Sequence, residues 1–153
     1  MKILMVCLGN ICRSPLAEGI LQYKVQQLGL NWQIDSAGTS GWHTGALPDS
    51  RSIAIAEKYG VDITYQRARQ FSPYDIEVFD IIYAMDASNF RDIKKHAETA
   101  EEKEKVKMIL NELYPKENRS VPDPYYDDNG FEDVYDMLNR ACDAIIKKYA
   151  VEG

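Results

Sequence analysis

Apolar residues fall along the chain in short blocks separated by longer segments of helical spacing. Lys2 to Val6 is a brief apolar run that enters a turn containing Gly and Asn, the pattern of a fully buried strand. Pro15 to about Leu28 follows as an amphipathic helix, with Pro15 in the first turn, where a missing N–H costs nothing. Trp32 to Asp35 reads as a second strand, and Ser36 to Leu47 as a loop carrying Gly38, Gly41 and Gly45. A helix from about Pro48 to Tyr59 is stopped by Gly60. Phe79 to Ala84 is another buried strand, and Asp86 or Ser88 caps a helix running to about His96. Val106 to Leu110 reads as a fourth strand, and Phe131 to Tyr149 sets Val134, Met137, Leu138, Ala141, Ile145 and Ile146 at helical spacing.

Short apolar strands alternating with helices imply an α/β fold: a parallel sheet covered by helices on both faces. No repeat, low-complexity tract or Gly/Ser linker divides the sequence, so residues 1–153 are expected to form a single domain. Sites in such sheets lie beyond the carboxyl ends of the strands. The first such end is Val6, and Cys7 comes directly after it.

Composition narrows the function classes. With 45% hydrophobic and 27% charged residues the chain has the balance of a folded globular domain. A net charge of −6 argues against nonspecific nucleic-acid binding, which needs a basic surface, so an anionic substrate requires a strong local cationic site. Three cysteines, an odd number, do not make a secreted disulfide framework and favour a reducing compartment. The run from Ile3 to Leu8 is too short for a signal sequence or a membrane span, so the expected location is the cytoplasm, without membrane insertion.

The candidate chemistry begins with Cys7-Leu8-Gly9-Asn10-Ile11-Cys12-Arg13-Ser14. A loop of this length between a strand and a helix can curl around one tetrahedral dianion with its backbone N–H groups inward, at the positive end of the helix. Gly9 and Asn10 are residue types that readily take the left-handed conformations such a curl needs. Arg13 can bond two phosphate oxygens side by side, and Cys7 then lies beneath the phosphorus as a nucleophile, with Ser14 able to donate to its sulfur. The surroundings favour the thiolate. Two buried core thiols are the plain alternative, but the placement after the first strand, with Gly and Asn inside and a helix following, decides for catalysis. Zinc is a further alternative for Cys7 and Cys12, yet Cys142, His43 and His96 are scattered and Arg13 would repel a cation. No nucleotide-binding glycine motif is present.

A phosphocysteine mechanism also needs a proton donor for the leaving oxygen. In Val121-Pro122-Asp123-Pro124-Tyr125-Tyr126 two prolines fix the backbone on either side of Asp123. Asp-Pro is equally a turn former, and composition alone leaves both readings open. Trp42, Tyr125 and Tyr126 fall in loops, where large aromatics either wall a site or cover the core. Asp127, Asp128, Glu132 and Asp133 read as a solvated acidic face and first-turn helix charges.

With these motifs in place, the chain resembles the low-molecular-weight protein tyrosine phosphatases from Met1 to about Lys148. The points of match are Val6 to Pro15, Asp35-Ser36-Ala37-Gly38-Thr39, Arg67-Ala68-Arg69-Gln70, Ala84-Met85-Asp86-Ala87-Ser88-Asn89 and Asp123-Pro124-Tyr125-Tyr126. The resemblance implies a four-stranded parallel sheet flanked by helices, Cys7 as nucleophile, Arg13 as clamp and Asp123 as general acid, with no metal or organic cofactor. It implies that Asn10, Ser14 and Ser36 hold the loop, that Leu8, Gly9, Asn10, Ile11, Cys12 and Ser14 surround the phosphate, and that Leu8, Trp42, Tyr125 and Tyr126 line the entrance. Cys12 resembles the family's second loop cysteine, which can form a disulfide with the nucleophile. The implied partners are a tyrosine-phosphorylated protein and inorganic phosphate, as product and inhibitor, acting on a monomer. Gln66 stands where the family often has histidine, and its amide is expected to bond to the loop. A related phosphoarginine branch carries threonine where this chain has Ile11. Arsenate reductases of the same fold are a rival reading, which would have to use Cys142 as a relay thiol; a non-hydrolysing phosphotyrosine-binding module is another.

Overall fold

The computed structural model describes residues 1–150; the last three residues of the expected domain lie outside the described residues. Strands β1 (Lys2–Cys7), β2 (Gln33–Gly38), β3 (Ile81–Ala84) and β4 (Val106–Met108) form one sheet in the order β2-β1-β3-β4, with every neighbouring pair parallel. Helices α1 (Arg13–Gln27), α2 (Ser50–Lys58), α3 (Asp75–Val78), α4 (Ala87–Lys94), α5 (Ala100–Lys105) and α6 (Phe131–Tyr149) make the connections and cover the sheet. None of these helices is long and apolar enough to cross a membrane.

The central strand is β1, and its side chains alternate between two cores. Ile3, Met5 and Cys7 join Leu16 and Ile20 of α1 and Leu138 and Ile145 of α6 on one face. Leu4 and Val6 join Ile76, Phe79, Ile82 and Ile93 on the other. Burial on both faces is why the run carries no polar position after Lys2. From β1 the chain first crosses to one side for β2, and later to the other side for β3. The winding therefore reverses at β1, and a crevice opens beyond its carboxyl end. Cys7 is the last residue of that strand.

Several boundaries differ from those expected. β2 runs on through Ser36 and Ala37 to Gly38, opposite Cys7, because pairing with β1 rather than apolarity makes it a strand. Gly38 is needed for close approach: a Cβ there would stand 2.7 Å from the Leu8 carbonyl oxygen and 3.0 Å from the Gly9 carbonyl carbon. β3 begins at Ile81, since Phe79 closes the short helix α3. β4 ends at Met108, not Leu110, because Ile109–Glu112 winds into a 3-10 turn. Asp86, not Ser88, caps α4, its Oδ1 accepting from the Asn89 N–H at 2.7 Å. That helix ends at Lys94, short of His96.

Gly38→Ala tests how tightly β2 backs the Cys7 loop. Overpacking against backbone atoms, which cannot swing away, is expected to cost about 1–3 kcal/mol in urea unfolding; a change within a few tenths would show that the loop has room to move.

Candidate active site

The loop from Leu8 to Cys12 is held open by what happens to its carbonyls. Thr39 N–H donates to the Cys7 carbonyl and Ser40 N–H to the Leu8 carbonyl, both at 2.9 Å, while Asp49 N–H donates to Ile11 at 2.8 Å and Ser52 Oγ to Cys12 at 3.3 Å. With these oxygens bonded to the surrounding chain, none of the N–H groups from Leu8 to Cys12 has a protein acceptor among the described residues. A run of unpartnered N–H groups before a helix N-terminus is a nest for an anion. Asn10 takes the left-handed turn of the curl at φ 57°, whereas Gly9 stays outside that region. A side chain at Gly9 would instead press on His43, whose ring would lie 3.1 Å from the added Cβ.

Behind the nest lies a buried polar network. Asn10 Oδ1 accepts from the Arg69 N–H at 3.0 Å, which fixes the amide orientation, so Nδ2 donates to Ser14 Oγ at 2.8 Å and Ser36 Oγ at 3.0 Å. Both hydroxyls must then place their own hydrogen elsewhere. Ser36 donates to Glu18 Oε1 at 2.7 Å. Ser14 has the Cys7 sulfur at 2.9 Å and the Ala37 carbonyl at 3.5 Å; toward a Cys7 thiolate, which carries no hydrogen, Ser14 is the donor. Asn10, Ser14 and Ser36 thus support the loop from behind. Asn10 and Ser14, expected among the phosphate-contacting residues, do not line the pocket.

Arg13 opens α1 and is almost wholly buried. Its Nη1 donates to Asp86 Oδ2 at 2.8 Å and to the Val121 carbonyl at 2.9 Å. That corner is therefore anchored, while Nε and Nη2 remain for a ligand; Nη2 lies 3.7 Å from Asp123 Oδ2. Asp123 precedes the 3-10 turn Pro124–Tyr126 and its Oδ1 accepts from the Tyr125 N–H at 3.1 Å, so it is both a turn residue and a carboxylate beside Arg13.

A pocket of about 170 Å³ joins these groups, lined by Cys7, Leu8, Gly9, Ile11, Cys12, Arg13, Trp42, His43, Asp123, Tyr125 and Tyr126. Tyr125 and Tyr126 meet edge to face at 5.0 Å, and the Arg51 guanidinium lies 5.5 Å above the Tyr125 ring. Arg51 is itself held by Asp49 and Asp128. Trp42 and Tyr126 are largely exposed at the mouth. Cys12 is buried, and that burial, with Asp49 next in weight, pushes its thiol up to about 12.

A family model for the low molecular weight phosphotyrosine protein phosphatases matches residues 2–152. The chain belongs to this family. Among its relatives is the human low molecular weight phosphotyrosine protein phosphatase, 38% identical over 150 residues, covering 96% of this chain and 94% of the human one. A protein tyrosine phosphatase from Entamoeba histolytica superposes with a TM-score of 0.91 at 35% identity, covering 99% of this chain and 98% of that one. A Drosophila arginine phosphatase superposes at 0.90 with 33% identity, covering 97% and 98%. The low molecular weight phosphatase fold, one domain on a four-stranded parallel sheet, is thus shared with both.

Some site residues were not legible beforehand. Asp86 was readable only as a helix cap, yet its second oxygen holds Arg13 across 73 positions of sequence. His43 entered only as a scattered metal ligand and lines the pocket instead. Glu18, inside a helix, gave no signal beyond being a charge on the buried side of α1. Gln66 does not reach the loop: its Nε2 donates to the Pro15 carbonyl at 3.0 Å, one turn into α1, and it is the Arg69 N–H that meets Asn10.

Burial raises the Glu18 carboxyl from 4.5 to about 7, against the opposing hydrogen bonds from Ser36 and Tyr65. The folded state therefore holds this proton to higher pH than the unfolded chain, and its contribution to stability falls as pH rises from about 4.5 to about 7. Glu18→Gln is expected to remove a loss of order 3 kcal/mol or less over that window, read from unfolding free energies across pH; equal slopes for both proteins would contradict the assignment.

Proposed function

We propose that the protein hydrolyses phosphotyrosine through a phosphocysteine intermediate on Cys7. The observation that carries this reading is the convergence in one pocket of the Cys7 sulfur with its Ser14 donor, the unpartnered N–H groups of the loop, and the paired Arg13 and Asp123. The loop N–H groups and the free edge of Arg13 receive three phosphate oxygens and orient the phosphorus over the sulfur. The Cys7 thiolate attacks phosphorus while the aryl oxygen leaves, taking a proton from Asp123. Asp123, now a carboxylate, removes a proton from water as that water attacks the phosphocysteine, and the thiolate departs with Ser14 donating to it. Inorganic phosphate, the product, fits the same nest and competes with substrate.

The aromatic mouth formed by Trp42, Tyr125 and Tyr126 supports an aryl leaving group, and Ile11 gives the pocket an apolar wall where the phosphoarginine branch carries threonine. The arsenate reading lacks an accessible relay thiol: Cys142 is fully buried in α6, its sulfur against the Ala17 carbonyl at 3.8 Å. Cys12 lines the same pocket as Cys7, which supports a reversible disulfide between them after peroxide has converted the Cys7 thiolate to a sulfenic acid, water being lost as the S–S bond forms. A cytoplasmic protein working as a monomer completes the reading.

Phosphate release from p-nitrophenyl phosphate, a phosphotyrosine peptide and phosphoarginine, compared among wild type, Cys7→Ser and Asp123→Ala, tests it. Cys7→Ser is expected to abolish release, and Asp123→Ala to lower kcat by about 10²–10⁴ and flatten the bell-shaped pH profile. Residual turnover in Cys7→Ser, or a preference for phosphoarginine, would overturn the assignment. Peptide mapping after mild peroxide checks the disulfide separately: a reversible Cys7–Cys12 link is expected, and inactivation without it would exclude the switch.

A further inference from the structure

The hydrogen-bond chain that starts at the Cys7 sulfur ends on a carboxylate that the reaction itself does not use. Glu18 lies in α1, is 4% exposed and does not line the pocket. Ser36 from β2 donates to it at 2.7 Å, and Tyr65, from the segment that follows α2, acts with Ser36 to hold the carboxyl down against burial. The charged groups facing it are Asp35 of β2 and Arg69. Arg69 is shared between Asp35 and Asp75, each at 3.1 Å, so its charge is already largely balanced.

The polarity of the chain follows from donor counting. Asn10 gives both amide hydrogens to the two serines, so Ser36 can remain an acceptor toward Asn10 only while its own hydrogen has somewhere else to go. Glu18 Oε1 is that place. We propose that Glu18 is a positioning residue for the phosphatase reaction: its ionised carboxylate fixes Ser36, and through Asn10 keeps the Ser14 hydrogen on the Cys7 sulfur. This rests on the reading of Cys7 as nucleophile. A protonated Glu18 still offers Ser36 an acceptor oxygen but no longer the charge that strengthens that hydrogen bond, so its hold on Ser36, and through it on Asn10, weakens. The carboxyl titrates at about 7, so the change falls within the working range of a neutral-pH enzyme.

Three variants, Glu18→Ala, Glu18→Gln and Tyr65→Phe, separate this role from a merely structural one, read by kcat and KM for p-nitrophenyl phosphate across pH and by the rate at which iodoacetamide alkylates Cys7. Glu18→Ala is expected to lose roughly tenfold in kcat with little change in KM and to slow alkylation, as a lost charge-assisted hydrogen bond would. Glu18→Gln, which keeps an acceptor oxygen but cannot titrate, is expected to lose less than Glu18→Ala and to lack the wild-type fall in rate below about pH 7. Tyr65→Phe removes a donor to the carboxylate and is expected to move that fall to higher pH. Superimposable pH profiles for wild type and Glu18→Gln would overturn the proposal, as would a folded Glu18→Ala with wild-type kcat and alkylation. If Glu18→Ala does not fold, the Glu18→Gln profile still decides. A wild type that alkylates at Cys7 but hydrolyses no phosphomonoester would instead refute the proposed reaction, and the alkylation rates of the variants would still judge Glu18.

Discussion

The backbone N–H groups between Leu8 and Cys12 have no acceptor among the described residues, and the arrangement of the surrounding structure depends on keeping them so. Unpaired amides in a partly buried loop are costly, and a chain free to relax would turn a carbonyl inward to meet them. Here the carbonyls of Cys7, Leu8, Ile11 and Cys12 are bonded to something else: Thr39 and Ser40 just after β2, Asp49 before α2, and the Ser52 hydroxyl. Gly38 lets β2 come close enough to do its part.

The side chains behind the loop follow from the same requirement. Asn10 spans the curl at a left-handed residue and ties together three separate segments, at Ser14, Ser36 and Arg69. Arg13 is buried with its charge balanced by Asp86, which is itself set by capping α4. A guanidinium held at one corner presents its remaining N–H groups without having to be ordered when a ligand arrives. Asp123 is held by its own turn, between two prolines, with its Oδ2 3.7 Å from Arg13 Nη2 in one small pocket. The geometry is that of a site built before its substrate binds.

The parts of this architecture that were visible in the sequence are those that rest on local pattern. β1 and α6 stood out because one is apolar without interruption and the other has a clear helical stripe. The Cys7 to Ser14 loop was visible because its residue types match its chemistry. β2 beyond Asp35 was not, since Ser36 to Gly38 are strand residues only by pairing with β1. α5 buries no residue and has no apolar stripe to find; Thr99 and Glu102 form a capping box at its start. Asp86, His43 and Glu18 act through contacts set by the packing of distant segments, which no spacing in one sequence reveals. Gln66 shows the converse: a local substitution was legible, but the partner of its amide, Pro15 and not the loop, was decided by the path of the chain.

The central claim is that the Cys7 sulfur takes the phosphoryl group. The most direct measurement is acid quenching during turnover of a phosphotyrosine peptide, followed by mass spectrometry of the digested protein. A phosphoryl group on the fragment containing Cys7, formed and lost on the timescale of turnover, is the predicted result. Steady release of phosphate with no phosphoryl group on Cys7, or with one on another residue, would contradict the account.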